Sequence, residues 1–118
     1  PQITHAIKLS LDALRLDPDN LEALNNLAWI YATSGNPDPR RSAEAVRMSE
    51  RACKLAQEEH PGLLDTLGAA YAGQGQFAKA VAAARRGQEL ALQLGDTQLA
   101  EALQQRLKLY ERGQAHRE

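Results

Sequence analysis

Two stretches of this chain carry one pattern twice. When Leu21–Gly35, LEALNNLAWIYATSG, is laid on Pro61–Gly75, PGLLDTLGAAYAGQG, Leu24 falls on Leu64, Leu27 on Leu67, Ala28 on Gly68, Tyr31 on Tyr71 and Gly35 on Gly75. The following residues align as well: AEAVRMSERACKLA against AKAVAAARRGQELA places Ala45 on Ala80 and Ala52 on Gly87. The opening AIKLSLDALRLDPDN repeats the second half of that unit, with Ala6, Ala13 and Pro18 in register. A short unit of this kind cannot bury its apolar face alone and gains a core only by stacking on its neighbours. An array is therefore the fold to expect.

The unit is helical. Apolar residues recur at helical spacing nearly throughout, while β-branched and aromatic residues are few and never alternate. Breakers at Asp17–Asn20, Gly35–Pro39, Glu59–Gly62, Gly73–Gln76 and Gly95–Thr97 predict helices over 3–16, 21–34, 42–57, 62–73, 77–94 and 97–112. Asp17 or Asn20 can cap the second helix and Asp96 or Thr97 the last, and Gly95 suits a left-handed helix stop.

In LDTLGAAYAGQGQFAKAV, Leu67, Gly68, Tyr71, Phe77 and Ala80 take the places of the tetratricopeptide repeat, a pattern of roughly 34 residues with Leu-Gly, Tyr, Ala, an aromatic, Ala and Pro at fixed offsets. The chain resembles that family over nearly its whole length. The physical sense is close helix crossing: Gly68 and Ala80 face bulk, Tyr71 and Phe77 fill the wedge near the turn, and Gly73 and Gly75 let the backbone reverse. The resemblance implies an all-α fold, an α-α superhelix of about six antiparallel helices with right-handed stacking and a C-terminal capping helix. Its parts would be 1–20, the second helix of a truncated repeat; 21–60, a unit with an inserted loop at 35–43; 61–96, a second unit; and 97–118, capping helix and tail. Gln57 stands where a closing Pro belongs, and Leu24 and Leu64 replace the usual Trp. NNLAWIYATSGNPDPRR, LDTLGAAYA and the ending LKLYERGQAHRE also resemble the closing segment of larger bacterial repeat proteins.

The ends differ. The first helix carries two apolar stripes, Ile3, Ile7, Leu11 and Leu14, and Ala6, Leu9, Ala13 and Leu16, so it expects neighbours on both sides. One side meets the second helix. The other suggests upstream repeats cut away, or a homodimer formed through Ile3, Ile7, Leu11 and Leu14. The last helix has a single stripe, Leu99, Leu103, Leu107 and Tyr110, as a water-facing terminal repeat should. The tail GQAHRE is expected to fray.

Chemistry of other kinds finds no support. With a net charge of −1 in 118 residues and scattered Lys and Arg, nothing draws the chain to nucleic acid. No apolar run approaches the roughly 20 residues of a membrane span. Cys53 is alone and expected to be an inert thiol, and His5, His60 and His116 have no ligand spacing, so neither a metal nor a cofactor is expected. No phosphate loop or nucleophile elbow occurs, and Asp12, Glu44, Asp65 and Glu89 are isolated carboxylates expected at the surface. The chain does not read as an enzyme.

The resemblance instead implies a protein-binding scaffold, with the first helix of each unit lining a concave groove. Groove positions fall on Glu22, Asn25, Asn26, Trp29 and Thr33, then on Asp65, Thr66 and Ala69. Asn26 matches groove asparagines that grip a peptide's backbone amide; the alternative is an Asn satisfied by a neighbouring helix. Trp29 is either an aromatic anchor or packs into the hole left by Ala69 and Ala70. Asn25, Asp65, Gly62 and Thr66 give no cationic clamp for a terminal carboxylate, so an uncharged or mildly basic segment is the expected partner. Two rival roles stay open: a self-associating or end-capping structural module, and a regulatory tail of a larger enzyme.

Overall fold

The computed structural model describes residues 2–118. Six helices follow in order: α1 (Gln2–Leu16), α2 (Leu21–Thr33), α3 (Pro39–Leu55), α4 (Pro61–Gly73), α5 (Phe77–Gln93) and α6 (Thr97–Glu111). The described residues contain no strand.

Four of the helix starts have a side-chain cap. Asn20 accepts from the Ala23 N–H at 3.0 Å and opens α2, while Asp17 serves the preceding turn by accepting from Asp19 N–H. Asp96 accepts from the Leu99 N–H at 3.1 Å and opens α6. His60 does the same for α4 through Nδ1, 3.2 Å from the Leu63 N, with Pro61 in the first turn where its missing N–H costs nothing. The α3 helix begins earlier than its periodicity predicts. Asp38 caps the Arg40 N–H at 2.9 Å and Pro39 sits in the first turn, so half of the expected 35–43 loop is helix.

The stops divide into two kinds. Gly75, Gly95 and Gly113 follow α4, α5 and α6 with φ of +75°, +78° and +71°, where a side chain would be strained. After α3 the same reversal is made by Gln57 and Glu58, with φ of +57° and +59°. That geometry explains the missing repeat proline: proline's ring holds φ near −65° and cannot stand at position 57. Gly73 is not a turn residue. It lies within α4, where a Cβ would come within 3.3 Å of the Ala32 carbonyl oxygen, so it serves the approach of α4 to α2.

The helices form two rows. Inner helices α2, α4 and α6 touch in sequence, while outer helices α1, α3 and α5 pack on inner ones and not on each other, so the layer bends toward the inner row. The Cα radius of gyration of 13.3 Å is close to the roughly 13 Å of a packed domain of about 100 residues. The array is too short to open into an extended ribbon.

Small residues hold the rows together. Ala28, Ala32, Ala45, Ala69 and Ala70 form one buried cluster where α2, α3 and α4 meet. Leu24, Ala52, Cys53, Leu63, Leu64 and Leu90 form another, with Leu14 of α1 packed against it. Gly68 is buried as expected: a Cβ there would lie 3.3 Å from the Ala80 carbonyl oxygen and 3.5 Å from the Tyr110 ring. The bulk over Gly68 is thus Tyr110 of the capping helix, while Tyr71 and Phe77 are only partly buried at the edge of that cluster. Ala80 is fully buried, so Ala80→Leu has no space to enter. It should destabilise the fold by about 2 kcal/mol, read as a lower urea midpoint at unchanged slope.

Candidate functional site

A groove of about 750 Å³ runs along α2. One wall is apolar and comes from α1, with Ala6, Leu9 and Ala13; the other carries Glu22, Asn25, Asn26 and Trp29, and Gly62, Asp65 and Thr66 of α4 reach its floor. Neither stripe of α1 is wholly covered: Ile7 and Leu14 of one and Ala6 and Ala13 of the other are half-buried, whereas Ile3 and Leu11 of the first and Leu9 and Leu16 of the second are exposed.

The expected groove residues separate by depth. Glu22 and Asn26 are exposed, and Asn25 and Trp29 half-buried. Thr33, Asp65, Thr66 and Ala69 are buried and offer little surface. The hydroxyl of Thr33 donates to the Trp29 carbonyl at 2.7 Å, that of Thr66 to the Gly62 carbonyl at 3.2 Å, and Ala69 belongs to the alanine cluster. These three are structural. The side chain of Asn26 makes no hydrogen bond among the described residues, so no neighbouring helix satisfies it; that of Asn25 has its Oδ1 shielded and unpartnered.

Asp65 was expected at the surface and is not. Its Oδ2 accepts from Arg106 Nη1 at 2.8 Å, and both side chains are largely covered. Burial, the largest influence, pushes the Asp65 carboxyl above the usual carboxylate range, against the opposing pull of Arg106 and His116. Arg106 also lies over the Trp29 ring, 5.0 Å from its centroid. A cation from α6 therefore stands against two of the expected groove residues. Arg106 stands on the face of α6 that carries Leu103 and Tyr110, spaced three before and four after it, and that spacing was the available signal.

The tail does not fray. Residues 114–118 fold back over the end of α2: Trp29 Nε1 donates to Glu118 Oε1 at 3.0 Å, the His116 ring lies 5.6 Å from that of Trp29, and the Glu118 N–H donates to the Thr33 carbonyl at 2.7 Å. Of the two expectations for Trp29, the packing one is met. It packs against the alanine cluster on one side and meets an extended segment, its own chain's, on the other.

Of the four residues assigned to self-association, Ile3 and Leu11 are exposed, but Ile7 lines a smaller cleft beside Ile30 and Leu14 is taken up by the core. Cys53 is buried, and burial with Glu58 and Glu50 nearby pushes its thiol up to about 11, so it is not a nucleophile at neutral pH. Among the described residues no three His, Cys, Asp or Glu side chains gather as metal ligands, and no helix is long and apolar enough to cross a membrane.

The Asp65–Arg106 pair should matter far more than the exposed ones. Asp65→Ala leaves a covered guanidinium without its counter-charge and should destabilise by about 2–3 kcal/mol. Glu111→Ala, which breaks the half-exposed 3.2 Å pair with Arg85, should change stability by less than about 1 kcal/mol. Urea unfolding of both variants makes the comparison.

A family model described as tetratricopeptide repeat matches residues 9–45, from the middle of α1 through α2 into α3. Comparison with curated proteins gave no match, and comparison with solved structures gave none. Over that segment the chain matches the tetratricopeptide repeat, and six helices in two rows with glycine or alanine at the crossings form an all-α fold consistent with a helical repeat of that kind.

Proposed function

We propose that the chain is a non-catalytic scaffold that binds a peptide or protein segment in the groove between α1 and α2. Repeats of this family generally mediate protein–protein interaction. The observation that carries the reading is Asn26: an exposed carboxamide with no hydrogen bond among the described residues, beside half-buried Asn25 and opposite an apolar wall. Such a carboxamide can donate to and accept from one peptide unit, which reads main chain and not sequence. The apolar wall of Ala6, Leu9 and Ala13 suits a segment with one greasy side. Asp65 is neutralised by Arg106, which leaves Glu22 as the charge on the open rim and favours an uncharged or mildly basic segment. A groove bordered mainly by two helices offers limited surface, so the expected complex falls in the weak class, below about 1,200 Å².

An array of uncharged and lysine-containing peptides tests this. A binder should lose about tenfold in affinity on Asn26→Ala, the cost of one hydrogen-bonded amide, and keep its affinity on Asp12→Ala. Binders indifferent to Asn26 would sink the groove.

A second reading, self-association, is favoured by the exposed leucines of α1. Leu16 and Leu9 extend a stripe that the chain itself leaves open, and a second copy placed there would cover it. Sedimentation at micromolar concentration should then show a dimer that Leu16→Glu converts to monomer. A wild-type monomer would remove this reading and leave the groove untouched.

A further inference from the structure

The C-terminal end of α2 lacks a cap of its own. An α-helix leaves its last four carbonyls without partners inside the helix; α2 has no basic residue in its last turn, and Ser34 follows it in an extended conformation. The tail supplies what is missing. Arg117 Nη1 donates to the Ala32 carbonyl at 3.1 Å and to the Ser34 carbonyl at 3.4 Å, and the Glu118 N–H takes the Thr33 carbonyl between them. A cation there also meets the negative end of the helix dipole. The Glu118 carboxylate accepts from Trp29 Nε1, and the preceding His116 ring lies against the same indole. Beneath the last residue lies Gly35, where a Cβ would come within 3.2 Å of the Glu118 carbonyl oxygen.

Every one of these contacts is made to an extended segment, and none uses its connection through Gly113 to α6. They read, in order, a ring, a guanidinium, a main-chain N–H and a carboxylate. We infer that the end of α2 is a peptide-binding site for an extended segment in which arginine precedes an acidic residue, filled in cis by residues 115–118, and that a partner protein carrying such a segment binds by displacing the tail. The site adjoins the Asn26 groove and shares Trp29 with it, while Asn26 itself lines only the groove. A tail tethered by a few residues acts at an effective concentration in the millimolar range, so the filled site resists ligands from outside until the tail is weakened.

The single tryptophan reports directly on occupancy. The probe is an acetylated peptide copying residues 113–118, added to the full chain and to its Arg117→Ala variant, with circular dichroism confirming that both are folded. Arg117→Ala should red-shift Trp29 emission, and the peptide should reverse that shift at a concentration at least about tenfold lower than any at which it binds the wild type. A peptide with alanine in place of its arginine should bind neither. Asn26→Ala should leave the titration unchanged, so that failure of the groove reading and failure of this one are told apart. Identical Trp29 emission in wild type and variant, equal peptide affinity for both, or equal binding of the arginine-less peptide would each overturn the assignment.

Discussion

The structure depends on how close its helix backbones come to one another. Beside the cluster of Leu24, Leu63, Leu64 and Leu90, the contacts that join α2, α3 and α4 are made by Ala28, Ala32, Ala45, Ala69 and Ala70. Burying a methyl group contributes only about 0.8 kcal/mol from transfer out of water, so a core of alanines holds only if the surrounding atoms close on it at interior density. Gly68 and Gly73 take this to its limit. At each, the facing atom is a backbone carbonyl, of Ala80 and of Ala32, at a distance where even a methyl group is crowded. Carbonyls cannot swing aside as a side chain does. The small residues therefore set how closely α4 lies against α2 and α5.

Those small residues are also why much of the fold was legible. A glycine or alanine recurring at the same place in successive units is a pattern in the sequence itself, and Ala28 with Gly68, or Ala45 with Ala80, gave the repeat, its helices and its turns at Gly75 and Gly95. The early start of α3 was hidden because Arg40 and Arg41 are polar and add nothing to an apolar period, although Asp38-Pro39 is a helix-start signature. The site was legible only in part. Spacing places Asn25, Asn26 and Trp29 beside one another, but it does not say that Arg106, from α6, reaches Asp65 and the indole. The tail was least legible of all. Its partners are the carbonyls of Ala32, Thr33 and Ser34, and a main-chain acceptor looks the same in every sequence.

The same repeat positions have different fates in the two units, and the reason lies in the neighbours. Asn25, Asn26 and Trp29 correspond to Asp65, Thr66 and Ala69. In α4 these are buried, because α2 lies on one side and α6, with Arg106, on the other. In α2 they border the groove, because α4 covers one side only and α1 is an outer helix set back from that face. Burial then dictates chemistry. A carboxylate at 65 requires a partner and has one; a carboxamide at 26, in water, requires none and remains available to a ligand. The unit with flanking inner helices has become core, and the unit without has kept a surface.

On the proposed function the interaction chemistry lies on a single helix, α2, and its two ends are finished differently. The first turn of α2 is closed locally by Asn20, within the loop that precedes it, and so needs nothing from elsewhere in the chain. The last turn is closed by Arg117 and Glu118, more than eighty residues away in sequence. A local cap is held by the covalent chain and forms with the helix. A remote one is held only by its own few hydrogen bonds, each worth about 1 kcal/mol net, and the displacement proposed above would break those bonds and not the alanine contacts beneath. Trp29 lies where these two regimes meet, with the firm alanine cluster under one face and the removable tail along its edge. Rigid packing below and exchangeable cover above is the arrangement that lets a recognition surface change its occupant while the fold beneath it keeps its shape.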